Sequence, residues 1–155
     1  FADALLGILA QRLAKRMCSC KQPYVPEPAE LTAFLREYCE ELMVTSKFKA
    51  DPKGSMEAVY KDWVKLYGND KGQLQFYKPV GCDKCNGTGY KGRVGLYQVM
   101  PITEAIQRII LAEGTSMDIA AQAQKEGVRD LRQSGLLKVR TGATTLEEVI
   151  SVTNE

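Results

Sequence analysis

Apolar positions recur at helical spacing near the start of the chain. Leucines and a methionine fall within one stripe, at Leu5, Leu6, Leu9, Leu13 and Met17. Cationic side chains collect near the C-terminal end of the same segment, where they complement a helix dipole. The pattern predicts an amphipathic helix over residues 3–17.

Two further helices are predicted before residue 70. Pro28 suits the first turn of a helix that runs to about Met43, with an apolar face made of Leu31, Phe34, Leu35, Tyr38 and Leu42. Residues 46–54 are polar and contain a proline and a glycine, and they predict a linker. The next helix is expected to begin with Ser55 as its N-cap and to end near Gly68, with Trp63 on its apolar side.

Two short strands are predicted on either side of a segment rich in cysteine and glycine. Residues 74–77 alternate weakly between apolar and polar side chains, and residues 93–100 resemble a second strand. We expect the two strands to pair as a β-hairpin that carries the intervening segment at its tip.

The rest of the chain is predicted to be helical. The expected N-caps are Thr103, Ser116 and Thr145, and Glu148 stands where it would complete a capping box with Thr145. Glycines 127 and 142 are the expected ends of two of these helices. The predicted fold class is mainly α with a small β-hairpin zinc-knuckle subdomain.

Composition and charge are those of an ordinary globular protein. The chain has 155 residues, of which 45% are apolar and 26% are charged. A net charge of +2 is too small to indicate a nucleic-acid or acidic-membrane partner. No apolar run approaches the roughly 18 residues of a membrane span. Since the chain begins with Phe1 and not with methionine, we interpret it as a piece of a longer protein.

The cysteines are the strongest chemical signal. Cys82 and Cys85 have the spacing of a zinc knuckle, and nearby glycines allow the turns that aim backbone N–H groups at the sulfurs. A structural zinc needs four ligands, and Cys18 and Cys20 can supply the other pair. The chain contains no histidine, so a bound metal would have thiolate ligands alone and a structural role. The absence of histidine also excludes Ser-His-Asp and Cys-His catalysis.

Other roles for the cysteines stay open at this point. Cys39 lies beside the apolar face of the second helix, and we expect a small buried hydrophobe there, with a metal ligand as the alternative. The two pairs could also be reduced and free of metal. A redox function for Cys82 and Cys85 is disfavoured because no βαβ pattern surrounds them.

Nucleotide-binding motifs do not fit the chain. Gly87, Gly89 and Gly92 match the glycines of a dinucleotide fingerprint, but no parallel strand precedes them and no helix follows, so we assign them to the knuckle turns. A Walker-type phosphate loop is absent from the sequence. We therefore expect no catalytic residues, and no nucleotide hydrolysis by this chain alone.

Five segments together resemble one family. Residues 1–13, the cysteine pair at 18 and 20, and residues 81–95, 97–103 and 142–149 resemble the secretion ATPases of the GspE/PilB type, which drive type II secretion and type IV pilus assembly. The resemblance covers most of the chain outside residues 28–75. It implies that the chain is the C-terminal fragment of a RecA-like secretion ATPase.

The resemblance carries expectations for organisation and partners. Residues 1–17 would be the last helix of the ATPase core, residues 18–100 a tetracysteine zinc subdomain with a helical insertion at about 28–75, and residues 101–155 a helical tail. Zinc would be held by Cys18, Cys20, Cys82 and Cys85, while ATP and Mg²⁺ would bind elsewhere in the parent. The implied partners are the ATPase core, neighbouring subunits of a cytoplasmic homohexamer and an inner-membrane platform protein.

The chain departs from the family pattern in three places. Only Ser19 separates the upstream cysteines, where the family usually has two residues. The segment between the two pairs is longer than usual, and Gln98 stands where the family usually has glutamate. The rival interpretations are a DnaJ-like chaperone module, which would need four such cysteine repeats, and a stand-alone zinc-binding interaction module.

Overall fold

The computed structural model describes residues 7–154. About half of the chain is helical, and the strands form two small antiparallel sheets. In the first sheet, β1 (Gly7–Met17) pairs with β4 (Tyr90–Pro101), and in the second β2 (Gln22–Tyr24) pairs with β3 (Phe76–Lys78). The coarse fold class, helical with a small β component, is therefore confirmed.

The predicted helix at residues 3–17 is wrong over the part that the structure describes. Residues 7–17 form β1, and residues 1–6 lie outside the described range. The periodicity was ambiguous, because a spacing of four residues is close to one helical turn and is also two full strand alternations. Leu9 and Leu13 therefore share one face of the sheet, and both are exposed there, whereas Ala14 on the other face is fully buried.

The predicted hairpin is also wrong, although both of its strands exist. β3 and β4 do not pair with each other, and each takes a partner from the start of the chain. The register of the first sheet runs from Gly7 opposite Pro101 to Lys15 opposite Arg93, and an irregularity follows before Met17 pairs with Tyr90. This pairing brings the two cysteine-bearing segments side by side.

Residues 28–75, the helical insertion, contain three α-helices. These are α1 (Pro28–Cys39), α2 (Ser46–Ala50) and α3 (Pro52–Tyr67), with a 3₁₀ turn at Glu40–Val44. The helix predicted from Pro28 to about Met43 is thus largely confirmed, and the expected linker is wrong because most of it is helical. Asp51, and not Ser55, caps α3, since its carboxylate accepts the N–H of Gly54 at 3.0 Å.

Aromatic rings fill the core of this insertion. Phe34 lies 4.8 Å from Phe76 and 5.8 Å from Trp63, and Tyr38 lies 4.9 Å from Trp63, measured between ring centroids. Such offset and edge-on contacts add to the stabilisation from burial. The prediction for Cys39 as a buried hydrophobe is confirmed, because it is fully buried in this core.

The tail is helical, as predicted, and contains four helices. They are α4 (Glu104–Leu111), α5 (Ser116–Lys125), α6 (Leu131–Arg140) and α7 (Leu146–Thr153). Thr103 caps α4 as expected, but Thr115 caps α5 in place of Ser116. The Thr145 hydroxyl accepts the N–H of Glu148. The Glu148 carboxylate accepts the backbone N–H of Lys15 and not that of Thr145.

The tail helix α6 sits against the first sheet. A methyl group at Gly135 would come within 2.5 Å of Val149 and 3.1 Å of Leu96, so only a glycine allows this close approach. Leu96, Leu136 and Val149 are fully buried at this contact. No helix in residues 7–154 is long and apolar enough to cross a membrane.

Candidate metal centre

The four predicted ligands come together in space. The sulfur atoms of Cys18, Cys20, Cys82 and Cys85 all lie within 4.8 Å of one another. Three of the distances are 3.7 Å between Cys18 and Cys82, 3.8 Å between Cys82 and Cys85, and 3.9 Å between Cys20 and Cys85. A tetrahedral zinc with Zn–S bonds of about 2.3 Å requires sulfurs roughly 3.8 Å apart. The sulfur positions therefore fit a zinc ion.

The antiparallel pairing of β1 and β4 places the two pairs. Cys18 follows β1 directly, and its N–H donates to the carbonyl oxygen of Gly89 at 2.9 Å, so the first pair lies beside the knuckle. The short spacing of Cys18 and Cys20 does not prevent the approach, because a turn after Cys18 brings both sulfurs to one side.

A 3₁₀ turn at Asp83–Cys85 presents the second pair. Asn86, Gly87 and Gly89 have positive φ values of 55°, 75° and 84°, which fold the chain back around the sulfur of Cys85. A methyl group at Gly89 would lie 2.6 Å from the Cβ of Pro79, so this position requires glycine for space as well as for conformation.

Backbone N–H groups point at the sulfurs, as the glycine pattern predicted. Cys85 accepts from the N–H of Cys82 and from that of Gly89, both at 3.2 Å, and Cys20 accepts from Gly81 at 3.4 Å. Such bonds stabilise a thiolate over a thiol. They provide the surroundings that a metal-bound sulfur needs.

The thiol pKa values differ across the cluster. Burial opposes ionisation of Cys85, but the N–H groups of Cys82 and Gly89, together with hydrogen bonds from the thiols of Cys82 and Cys20, outweigh it and lower the pKa to about 6. At Cys20 the N–H of Gly81 favours the thiolate, but burial and the three neighbouring cysteines outweigh it and raise the pKa to about 11. Cys85 is therefore a much stronger acid than Cys20.

The fifth cysteine does not belong to the centre. Cys39 is absent from the cluster of close sulfurs and is fully buried among the aromatic side chains of the insertion. Burial raises the pKa of its thiol to about 11, so it is a neutral side chain at physiological pH. The alternative role of Cys39 as a metal ligand is not supported.

Sequence reasoning missed the contacts that join this centre to the tail. Lys21 donates to the carbonyl oxygen of Gly142 at 2.8 Å and lies over the ring of Tyr77, 4.6 Å from its centroid. The hydroxyl groups of Tyr90 and Thr145 are 3.0 Å apart. These partners are more than 50 residues apart in sequence, and no local pattern signals them.

Comparison with known proteins settles the family. The family model described as type II/IV secretion system protein matches residues 1–151. This chain belongs to that family. It is 42% identical over 149 residues to the type IV pilus assembly ATPase PilB of Pseudomonas aeruginosa, covering 96% of this chain and 21% of that protein.

Relatives from type IV pilus assembly and from type II secretion both match this chain. A second PilB, from Acinetobacter baylyi, is 40% identical over 150 residues, covering 96% of this chain and 21% of that protein. The type II secretion system ATPase E of Vibrio cholerae is 33% identical over 160 residues, covering 99% of this chain and 24% of that protein. The chain thus spans between a fifth and a quarter of the length of these curated relatives. Its place within a longer parent stays a prediction.

Proposed function

We propose that this chain is a non-hydrolytic, structural part of a hexameric ATPase that powers type II secretion or type IV pilus assembly. In this proposal one zinc ion, bound by the four clustered cysteines, holds its two cysteine segments together. The observation that carries the proposal is the tetracysteine cluster, whose four sulfur atoms lie within 4.8 Å of one another, in a member of this family.

The donor set supports zinc as the metal. Four cysteine sulfurs are soft ligands that suit zinc, and hard ions such as Mg²⁺ or Ca²⁺ prefer oxygen. With all four positions taken by protein, no coordination site is left for water or substrate. When bound, the metal supplies cross-linking and no catalysis, while the backbone N–H groups of residues 81, 82 and 89 hold the sulfurs in place.

The first sheet supports a role inside a larger assembly. One face packs on the tail, while the other exposes Leu9, Leu13, Tyr97 and Val99, of which Leu9 and Val99 are 66% and 61% exposed. Leu9 lies opposite Val99 across the strands, so the apolar side chains form one patch. We propose that the ATPase core or a neighbouring subunit covers this patch, which we call the open sheet face.

The parent acts as a homohexamer on the cytoplasmic side of the inner membrane, where it works on a platform protein. ATP and Mg²⁺ bind in parts of the parent other than this chain, which contains no Walker-type phosphate loop. The relatives include a pilus assembly ATPase and a type II secretion ATPase. Together they support a role in one of these two systems and do not favour secretion over pilus assembly.

A pair of variants in the intact parent tests the structural role. Cys85→Ser should abolish zinc binding, hexamer formation and pilus assembly or secretion, whereas Cys39→Ala should leave zinc and assembly intact. Purified chain alone should show no ATP turnover above the buffer rate. A zinc-free Cys85→Ser parent that assembles and works normally would overturn the proposal, as would ATP turnover by the chain alone.

A further inference from the structure

A cavity of about 570 Å³ lies between the helical insertion and α5. It shares no lining residue with the four clustered cysteines. Its volume falls within the roughly 300–1,000 Å³ of small-molecule sites. Aromatic and aliphatic side chains make up part of its wall, namely Tyr38, Leu42, Phe48, Val59 and Trp63.

Cationic side chains outnumber acidic ones in the rest of the wall. Lys47, Lys125 and Arg129 line the cavity, and among the described residues Asp62 is the one acidic side chain in its wall. Across residues 7–154, no carboxylate forms an ion pair with any of these three cations. The excess positive charge inside this partly apolar wall favours an anionic ligand.

Arg129 is the cation that the fold holds in place. Its Nε donates to the hydroxyl oxygen of Tyr38 at 2.9 Å, and the guanidinium carbon lies 6.0 Å from the centroid of that ring. Its Nη1 is buried and has no hydrogen-bond partner within residues 7–154. A buried polar nitrogen without a partner is costly and calls for an explanation, such as an ion. Guanidinium groups pair most effectively with the two oxygens of a carboxylate or phosphate.

We propose that this cavity binds a small organic anion with a flat ring. Its carboxylate or phosphate group binds Arg129, Lys47 and Lys125 add attraction, and its ring lies against Trp63. Because Nη1 is buried in the present conformation, ligand binding includes a small rotation of the guanidinium group while Nε keeps its hydrogen bond to Tyr38. The proposal is independent of the metal and of the ATPase parent.

Tryptophan fluorescence offers a direct test, since Trp63 is the only tryptophan in the chain. Phenyl phosphate, benzoate and inorganic phosphate are titrated separately into the purified 155-residue chain. We expect a saturable change in emission with phenyl phosphate or benzoate. The probe that binds more tightly identifies the preferred oxyanion. Arg129→Gln should weaken that binding by about 10- to 100-fold.

Matched variants make the test decisive. Arg108→Gln, at an exposed arginine on α4 outside the cavity, should leave the affinity within about twofold. If far-UV circular dichroism shows that Arg129→Gln is unfolded, the exposed Lys125→Gln replaces it, with an expected several-fold loss that shrinks at high salt. No saturable change with any probe, or affinity unaltered in the cavity variant, would overturn the proposal. Inorganic phosphate binding as tightly as phenyl phosphate would overturn the contact between the ring and Trp63.

Discussion

The backbone N–H of Met17 donates to the carbonyl oxygen of Ala143 at 2.8 Å. Met17 precedes the first clustered cysteine, and Ala143 lies in the turn between α6 and α7. The hydroxyl of Thr144 donates to the carbonyl oxygen of Lys15 at 2.7 Å, and Lys21 reaches Gly142. The segment that presents Cys18 and Cys20 is therefore fastened to this turn, which we call the tail latch (residues 142–144).

Removing the latch hydroxyl should destabilise the chain. Thr144 is fully buried, so Thr144→Val takes away the donor to Lys15 and should cost about 1–3 kcal/mol of unfolding free energy. Thr141→Val is the matched control, because the Thr141 hydroxyl bonds to Lys138 at an exposed site and should cost about 0.5 kcal/mol or less. Denaturant unfolding measures both. Equal losses in the two variants would contradict a latch.

A second prediction concerns the glycine that wraps Cys85. Gly89→Ala places a side chain at a φ of +84° and against Pro79, so it should weaken metal binding and lower stability by more than the roughly 1–2 kcal/mol of left-handed strain. Gly127→Ala has nearly the same φ, +87°, with no atom within 4 Å of the new methyl group. Gly127→Ala should lower the unfolding free energy by the conformational strain alone and leave the metal affinity unchanged. Zinc competition titrations and thermal unfolding compare the two.

The buried amide pair on α5 and α6 should contribute strongly to stability. Gln133 exchanges hydrogen bonds of 2.8 and 2.9 Å with Gln124, and its amide nitrogen donates to the carbonyl oxygen of Tyr38 at 3.2 Å. Gln133→Leu leaves these buried partners unsatisfied and should lower the unfolding free energy by roughly 3 kcal/mol. The exposed bond of Gln122 to Glu126 makes Gln122→Leu a near-neutral control. Similar unfolding midpoints for the two variants would contradict a stabilising role for the buried amide pair.

The open sheet face should respond differently in the chain and in the parent. Leu9→Ser changes an exposed side chain, so the isolated chain should lose about 0.5 kcal/mol or less. Leu96→Ala, on the buried face, should cost about 2–5 kcal/mol in either setting. In the intact parent Leu9→Ser should lower the melting temperature or weaken the hexamer. A parent insensitive to Leu9→Ser would mean that nothing packs on this face.

Part of the fold could be predicted from local patterns. The helix from Pro28, the end of α3 at Gly68 and the Thr103 cap depend on neighbouring residues, and each was correct. Strand pairing depends on distant partners, and the four-residue leucine spacing of β1 fits a helix as well as a strand, so only the pairing with β4 distinguishes the two. The segment predicted as a linker, residues 46–54, is mostly helical for a similar reason. Phe48 is buried against the insertion core and stabilises a short helix there.

The candidate site was more predictable than its surroundings. Cysteine is rare, and its spacing directly constrains metal geometry, so all four clustered residues were named from the sequence. The tail latch uses mainly backbone carbonyl groups, which every residue has, and no pattern of side chains marks it. The role proposed for Arg129 likewise depends on its having no ion pair among residues 7–154, and only the folded structure gives that information.

Zinc analysis with X-ray absorption at the zinc edge tests the central claim most directly. The purified chain, prepared without chelator, should contain one zinc with four sulfur neighbours at about 2.3 Å. Cys39→Ala should give the same result, and Cys85→Ser should lose the metal. A folded chain with a zinc content near zero, or a zinc bound by oxygen and nitrogen, would contradict the claim that this tetracysteine cluster is a structural zinc site.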